Sequence, residues 1–399
     1  MDLFEKCRTY TIADEVKRAG LYPYFHPINA NEGPEVVMEG RKIIMAGSNN
    51  YLGLTAHPKV KEAAKKALDK YGTGCSGSRF LTGTLDLHIE LENKIAKFLG
   101  KESCLLYSTG FQTPQGIIPV LVAKGELIFS DRDNHASINA GNLISSGMHQ
   151  EIIRYKHNNI EHLENLISKH PIETPKLIVS DGVFSTNGEI ANLPSLVSIA
   201  KKYNAKLLID DAHAFGVIGK NGRGTASYFN LIDDIDLTFG TFSKSLASLG
   251  GYVVGPESVI NFLKHNSPSF IFSASPTPSS VAAALASLEI IETEPEIIER
   301  LHKNVLRARN GFASHGIPIT GNKDTAIVSI TIGDTNKTLH LWRELYDAGI
   351  FVNVFVRPGV MPGHELLRTS YMATHENHHI DKIVDTIGLL LKKNGLANE

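Results

Sequence analysis

"AKLLIDDAHAFG" (residues 205–216) is an apolar run that stops on two acids, Asp210 and Asp211, with His213 two residues further on. A short apolar run ended by polar residues reads as a strand buried on both faces and capped by a chemically active tip. The same form recurs in "SCLLYS" (103–108), "ELIFSD" (126–131), "PKLIVSD" (175–181), "DLTFGTF" (236–242) and "GGYVVG" (250–255), with helical periodicity between them. Strands alternating with helices predict an α/β fold with a mostly parallel sheet covered on both faces. In such sheets ligands bind beyond the carboxyl ends of the strands. The tips Ser108-Thr109-Gly110, Asp131, Ser180-Asp181, Asp210-Asp211 and Ser243-Lys244 are therefore expected to converge on one site.

The organisation outward from this region has three parts. Residues 1–45 read as a short helix and an extended arm ("LYPYFHPINANEGPEVVMEG", 21–40), residues 46–285 as the large sheet domain, and residues 286–399 as a smaller C-terminal α+β domain. The 399 residues carry 40 Lys and Arg against 42 Asp and Glu, so no global positive charge argues for nucleic acid. Three scattered cysteines form neither a disulfide framework nor a zinc pattern, which favours the cytoplasm. The N-terminus lacks the apolar core of a signal peptide, and no apolar run approaches a membrane span, so any membrane contact is expected to be peripheral, at the inner face of the cell membrane.

Gly72, Gly74 and Gly77 satisfy GxGxxG, but they follow the helical "PKVKEAAKKALDKYG" rather than a strand, which rejects a dinucleotide or P-loop reading. The DDAH tip alone has three readings: solvated acids at a turn, metal ligands, or partners of the lysine about thirty positions later. Lys244 in "GTFSKSLASLGG" (240–251) is more telling. A lysine at the mouth of an apolar site either snorkels to water or is held for Schiff-base chemistry. Gly240, Gly250 and Gly251 allow close approach there, and the Thr241 and Ser243 hydroxyls can bond a phosphate. With a strand-end aspartate to keep a pyridine nitrogen protonated, this set meets the needs of pyridoxal 5'-phosphate. "YSTGFQTPQG" (107–116) offers the phosphate a strand, the turn Thr109-Gly110-Phe111 and a helix start. His135, just past a strand, suits stacking on a flat ring. "ATHENHHI" (373–380) reads as a solvated helix face, and no metal site is expected.

"SNNYLGL" (48–54), "GTGCSGSRFLTGT" (72–84), "DRDNHASI" (131–138), "DGVFSTNG" (181–188), "IDDAHAFGVIGKNGRG" (209–224) and "GTFSKS" (240–245) together resemble the α-oxoamine synthases, fold-type I pyridoxal phosphate enzymes. The likeness runs in order along nearly the whole chain. It implies condensation of an amino acid with an acyl-CoA and loss of carbon dioxide. "PYFHPI" (23–28), "MAGSNNYLGL" (45–54) and "GTFSKS" most resemble the soluble homodimeric bacterial members acting on L-serine and a long-chain acyl-CoA, with members using glycine or alanine and other acyl-CoAs as the alternative.

By resemblance, Lys244 carries the cofactor, Asp210 faces its ring nitrogen, and His213 bonds its phenolic oxygen with Ser185. His135 stacks on the ring. Thr241, Thr109, Gly110 and Phe111 surround the phosphate, with Ser273 and Ser275 of "FIFSASP" (270–276) reaching it from the neighbouring subunit. Arg368 approaches the substrate carboxylate and Asn50 lies near the substrate. "RPGVMPGHELLR" (357–368) departs from the Pro-Pro-Ala-Thr-Pro run of some relatives, a difference that bears on loop closure and acyl-CoA entry.

Overall fold

The chain opens with two short helices, Glu5–Arg8 and Ile12–Arg18, followed by three antiparallel strands, β1 (Ile28–Asn31), β2 (Glu35–Met38) and β3 (Arg41–Met45). The structure, a computed structural model, describes residues 2–31 and 33–396. The segment read as one helix and an extended arm is thus two helices and a small sheet. The arm's apolar content is concentrated in β2 and β3, where Val36, Met38 and Ile43 to Met45 are buried. β3 also pairs in parallel with Ile350–Phe351 of the C-terminal region, so the arm lies on that region.

The central sheet contains β4 (Ser103–Tyr107), β5 (Leu127–Asp131), β6 (Glu151–Tyr155), β7 (Lys176–Asp181), β8 (Ala205–Asp210), β9 (Leu237–Thr241) and β10 (Gly251–Gly255). Their order is β4-β10-β9-β8-β7-β5-β6, and only β10 runs antiparallel to its neighbours. All six residues of β7 are buried, as a parallel strand covered on both faces requires. Alternate side chains enter opposite layers: Ile178, Leu207 and Ile209 pack into one apolar cluster, Leu177, Val179 and Leu208 into another. The edge strand β6, "EIIRY", was not legible as a strand; its exposed Glu151 and Arg154 break the apolar run and protect the edge from pairing.

The C-terminal region adds β11 (Ile327–Thr331), β12 (Ile350–Phe351), β13 (Asn353–Phe355) and β14 (Leu366–Ser370). β12 completes the N-terminal sheet, and the other three form an antiparallel sheet in the order β11-β14-β13. The helices Glu296–Ser314, Thr335–Asp347 and Asn377–Lys393 bury apolar stripes in the same core as this part of the chain. Among the described residues no helix is long and apolar enough to cross a membrane.

The histidine cluster at 375–379 corrects an expectation. His378 is exposed, but His375 and His379 are buried and do not form a solvated face. Their Nδ1 atoms accept the N–H groups of Met372 (2.9 Å) and Glu376 (3.0 Å), satisfying backbone donors ahead of the Asn377–Lys393 helix. No group of three or more metal-ligating side chains occurs among the described residues.

One ionic brace ties two strand-end loops together. His157 places Nδ1 3.2 Å from Asp131 at the tip of β5 and Nε2 2.9 Å from Glu189, with its ring edge-on to Phe184. Burial pulls its pKa down, but Asp131 and Glu189 outweigh that and raise it to about 10. A folded-state pKa above the unfolded value near 6.5 means the imidazolium's contribution is complete below that value and lost as pH rises towards 10. His157→Gln is expected to cost about 1–2 kcal/mol in urea melts at mildly acid pH, with the penalty shrinking as pH is raised. A penalty constant with pH would contradict the charged brace.

Candidate active site

The tips of β4, β7, β8 and β9 and the turns after them surround a cavity of about 270 Å³. Its lining includes Thr109, Gly110, Phe111, His135, Asp210, His213, Thr241 and Lys244, so eight of the residues expected at the site meet there. Asp181, Ser137 and Ser243 join them, with Val183, Ala212, Phe239 and Leu249 as apolar walls. Two other tips turn away. Asp131 is taken by His157 and by the N–H of Asn158 (2.7 Å), while Asp211 accepts the hydroxyl (2.6 Å) and N–H (2.9 Å) of Thr225. Adjacent acids in an extended strand face opposite ways, which is why Asp210 and Asp211 have separate tasks.

Lys244 gets its position from the turn between β9 and β10. Phe242 N–H donates to Gly250 carbonyl (2.9 Å), Ser248 N–H to Phe242 carbonyl (2.9 Å), and Ala247 N–H to Lys244 carbonyl (3.0 Å). Gly250 has φ +152°, and a Cβ there would stand 2.3 Å from the Phe242 ring. Ser243, whose hydroxyl the sequence offers to a phosphate, donates its N–H to Thr241 Oγ1 (3.2 Å) and pairs with it by hydroxyl (2.9 Å), fastening the turn beneath the lysine. Burial pulls the Lys244 ammonium down to about 8 and Arg368 adds to this, against the opposing pull of Asp210 and Asp181.

The carboxylates show the converse effect. Burial raises Asp210, restrained by the positive charges of Lys244 and His135, and raises Asp181 further because Asp210 stands beside it. These two residues are paired in register across β7 and β8. Asp210 accepts only the Ala212 N–H (2.9 Å) within the described residues, and Asp181 receives the His135 N–H (3.2 Å). His135 accepts the Ser137 N–H at Nδ1 (3.2 Å) and caps the Ala136–Gly147 helix, which leaves Nε2 to carry its proton when neutral.

A turn of unused backbone amides lies at the head of the Gln112–Leu121 helix. No hydrogen bond within the described residues uses the N–H groups of Gly110 and Phe111. A side chain at Gly110 would strike Thr241, its Cβ only 2.5 Å from that residue's Cβ, so the turn presents bare backbone. Unspent amides at a helix N-terminus, a lysine of lowered proton affinity and a buried aspartate match a flat, phosphorylated, cationic ring. The residues present therefore fit pyridoxal 5'-phosphate.

Arg368 is buried on β14 behind His213 and does not itself line the cavity. Its Nη2 donates to Asn49 Oδ1 (2.8 Å) and Tyr51 Oη (3.2 Å), and Tyr51 Oη lies 2.6 Å from His213 Nδ1. Asn50, expected near the substrate, is buried and donates to Thr55 Oγ1 (2.8 Å), while its neighbour Asn49 makes the contact to Arg368. Ser185 does not line the cavity; its turn is stitched to β11 through the bond from Ser329 to Thr186 carbonyl (2.7 Å). Ser275 donates to Gly83 carbonyl (2.7 Å), and Ser273 lies 3.3 Å from Ser108 beside the amide turn. Neither lines the cavity formed by this chain.

Comparison with known proteins agrees with this geometry. Residues 41–387 match the family described as "Aminotransferase class I and II". A serine palmitoyltransferase of Sphingobacterium spiritivorum is 47% identical over 98% of this chain and 97% of its own. An 8-amino-7-oxononanoate synthase of Geobacter sulfurreducens is 39% identical over 98% of this chain and 100% of its own. A solved serine palmitoyltransferase from S. paucimobilis with bound PLP-myriocin aldimine superposes with a TM-score of 0.95 at 34% identity, over 99% of this chain and 100% of that one. The chain belongs to the aminotransferase class I and II family, as a fold-type I pyridoxal 5'-phosphate enzyme of the α-oxoamine synthase group.

Proposed function

We propose that the chain is a serine palmitoyltransferase, joining L-serine to palmitoyl-CoA to give 3-oxosphinganine, coenzyme A and carbon dioxide, the entry step of sphingolipid synthesis. The observation that carries the reading is the desolvated Lys244 facing Asp210 in a cavity headed by free backbone amides, in a chain 47% identical to a serine palmitoyltransferase along its length.

Bound pyridoxal 5'-phosphate supplies an aldehyde that takes up the amino acid's amine and a pyridinium ring that draws electrons from its α-carbon. Lys244 would carry the cofactor, Asp210 would face the ring nitrogen, and Thr109, Gly110, Phe111 and Thr241 would hold the phosphate. His213 would bond the phenolic oxygen, and the Val183 and Ala212 side chains would form a dry wall. Arg368 takes the serine carboxylate, oriented by Asn49. Displaced by the serine amine, Lys244 is a base matched to neutral pH, because burial has weakened its hold on a proton. His135, which lines the cavity, would stack on the ring and offer its Nε2 proton to the thioester oxygen as negative charge develops there. Lys244 takes the α-proton, the thioester carbon–sulfur bond breaks as the carbon–carbon bond forms and the thiolate is protonated by solvent, and the carboxylate then leaves as carbon dioxide, its electron pair at the α-carbon taking back the proton held by Lys244.

A homodimer suits the cavity mouth, where Phe111 and Leu249 line the site yet are 50% and 56% exposed, with Phe272 in the segment of Ser273 and Ser275 exposed at 86%. Apolar side chains in such a place want a second surface. We assign that surface to another copy of the chain, whose Ser273 and Ser275 complete the phosphate site. The organisation proposed is 1–45, 46–285 and 286–399, with the cofactor on the second unit and the protein in the cytoplasm, touching the membrane only peripherally. The Geobacter relative supports a second reading, an α-oxoamine synthase using alanine or glycine with another acyl-CoA.

Serine, glycine and alanine assayed against short- and long-chain acyl-CoAs separate the two: turnover is expected with serine and palmitoyl-CoA, and turnover confined to alanine or glycine would replace the first reading by the second. Lys244→Ala is expected to lack the visible absorption of the linked cofactor and all turnover. Reconstitution of the apoprotein should accelerate with pH around a midpoint of about 8, since only the neutral amine attacks the aldehyde. A midpoint at the ordinary lysine value would refute the desolvated lysine.

A further inference from the structure

Tyr51 has no part in the chemistry described so far, yet it is fully buried between the two halves of the site. Its hydroxyl lies 2.6 Å from His213 Nδ1, 3.2 Å from Arg368 Nη2 and 3.2 Å from Asn49 Oδ1. Arg368 has only donors, so towards it the tyrosine oxygen is the acceptor. The tyrosine's single proton has two acceptors in reach, Asn49 Oδ1 at 3.2 Å and His213 Nδ1 at 2.6 Å, and the much shorter contact takes it. Burial drives the imidazole well below its usual pKa, with Lys244 and Arg368 reinforcing this, and raises the Tyr51 phenol to about 12, so the pair is neutral imidazole and intact phenol. An imidazole that accepts at Nδ1 carries its one proton on Nε2. His213 lines the cavity, and that proton is the one it has to give there.

We propose that Tyr51 is a positioning residue that fixes His213 as an Nε2–H donor to the cofactor's phenolic oxygen and couples that bond to the occupancy of Arg368. The inference rests on the reading above that Arg368 receives the substrate carboxylate and His213 the phenolic oxygen. Its physical basis is a chain of donors: guanidinium to phenol, phenol to imidazole, imidazole to cofactor oxygen. Each bond polarises the next, more strongly in a dry interior than in water. A carboxylate that draws Arg368 towards itself withdraws positive charge from Tyr51 Oη and weakens the whole chain. Arg368 Nε is buried without a partner among the described residues, a donor left for such a ligand. Binding of the amino acid's carboxylate thereby alters the electronic state of the ring before any bond to carbon changes. The charged or titratable groups facing His213 are Lys244, Arg368 and His135, with Tyr51.

The test uses holoenzyme and 3-hydroxypropionate, which has the carboxylate and hydroxyl of serine but no amine. In the parent protein this probe is expected to shift, saturably, the ratio of the cofactor's long-wavelength phenolate band to its short-wavelength phenol band. Tyr51→Phe keeps the ring and removes the relay; its resting ratio should fall about fivefold, the value of one neutral hydrogen bond, and the probe should bind by calorimetry without moving it. A Tyr51→Phe response equal to the parent's overturns the coupling alone. A parent ratio indifferent to a probe that binds also overturns the coupling, and a parent that does not bind the probe overturns the Arg368 assignment with it. Should Tyr51→Phe fail to fold, the nitrogen-15 spectrum of parent holoenzyme decides the tautomer, with His213 identified by loss of its signals in His213→Gln. Protonated Nε2 and bare Nδ1 are expected, and a proton on Nδ1 would overturn the proposal.

Discussion

The site depends on one constraint: the ammonium of Lys244 and the carboxylates of Asp210 and Asp181 share a space with too little water to solvate any of them separately. Each charge is tolerated only because the others are there. Burial pushes the lysine towards its neutral amine and the acids towards their protonated forms, while mutual attraction opposes both shifts. A desolvated group of this kind binds a complementary charge more strongly than one in water. The sheet supplies the precision. Asp181 and Asp210 sit in register on neighbouring parallel strands, and Lys244 follows the next strand, so their separation is set by backbone hydrogen bonds rather than by flexible side chains.

That geometry also accounts for the single antiparallel strand. β10 returns directly from β9 through the turn that carries Lys244, where a parallel strand would need a crossover. The short return stretches nine residues, Phe242 to Gly250, across the mouth of the site, tied by the Phe242 to Gly250 and Ser248 to Phe242 bonds. It also brings Gly251 beside Gly110, whose Cα would stand 2.8 Å from a Cβ at position 251. The amide turn and the lysine are thereby held together by one close backbone contact.

Much of this was legible in the sequence because burial on both faces leaves a strong mark. The six runs quoted at the outset are all strands, and the abrupt change from apolar to polar residues marked the tips that meet. What periodicity could not supply was direction within irregular segments. The contact of Asn49 with Arg368 lies in a turn, which carries no alternation to show which of two neighbouring asparagines faces the arginine. Asp131 and Asp211 stand at strand tips like Asp181 and Asp210, and only the positions of His157 and Thr225, far off in sequence, show that they are structural. The buried histidines 375 and 379 looked like a polar face because a histidine that caps a helix start is indistinguishable by composition from one in water.

The least legible part is also the one that joins the two halves of the site. Residues 46–51 follow directly on β3, and they are held by the C-terminal region: Ala46 N–H donates to Phe351 carbonyl (2.8 Å), Ser370 N–H to Ala46 carbonyl (2.7 Å) and Ala373 N–H to Tyr51 carbonyl (2.7 Å). Arg368 lies two residues before Ser370 on the same strand. The segment bearing Asn49 and Tyr51 is therefore carried by the same backbone network as the arginine they touch. A displacement of β14 would move Arg368 and Tyr51 together towards or away from His213, which stands on the central sheet's side of the site. Arg368 and His213 are carried by different sheets, and the short Tyr51–His213 contact (2.6 Å) is where those sheets' positions are compared.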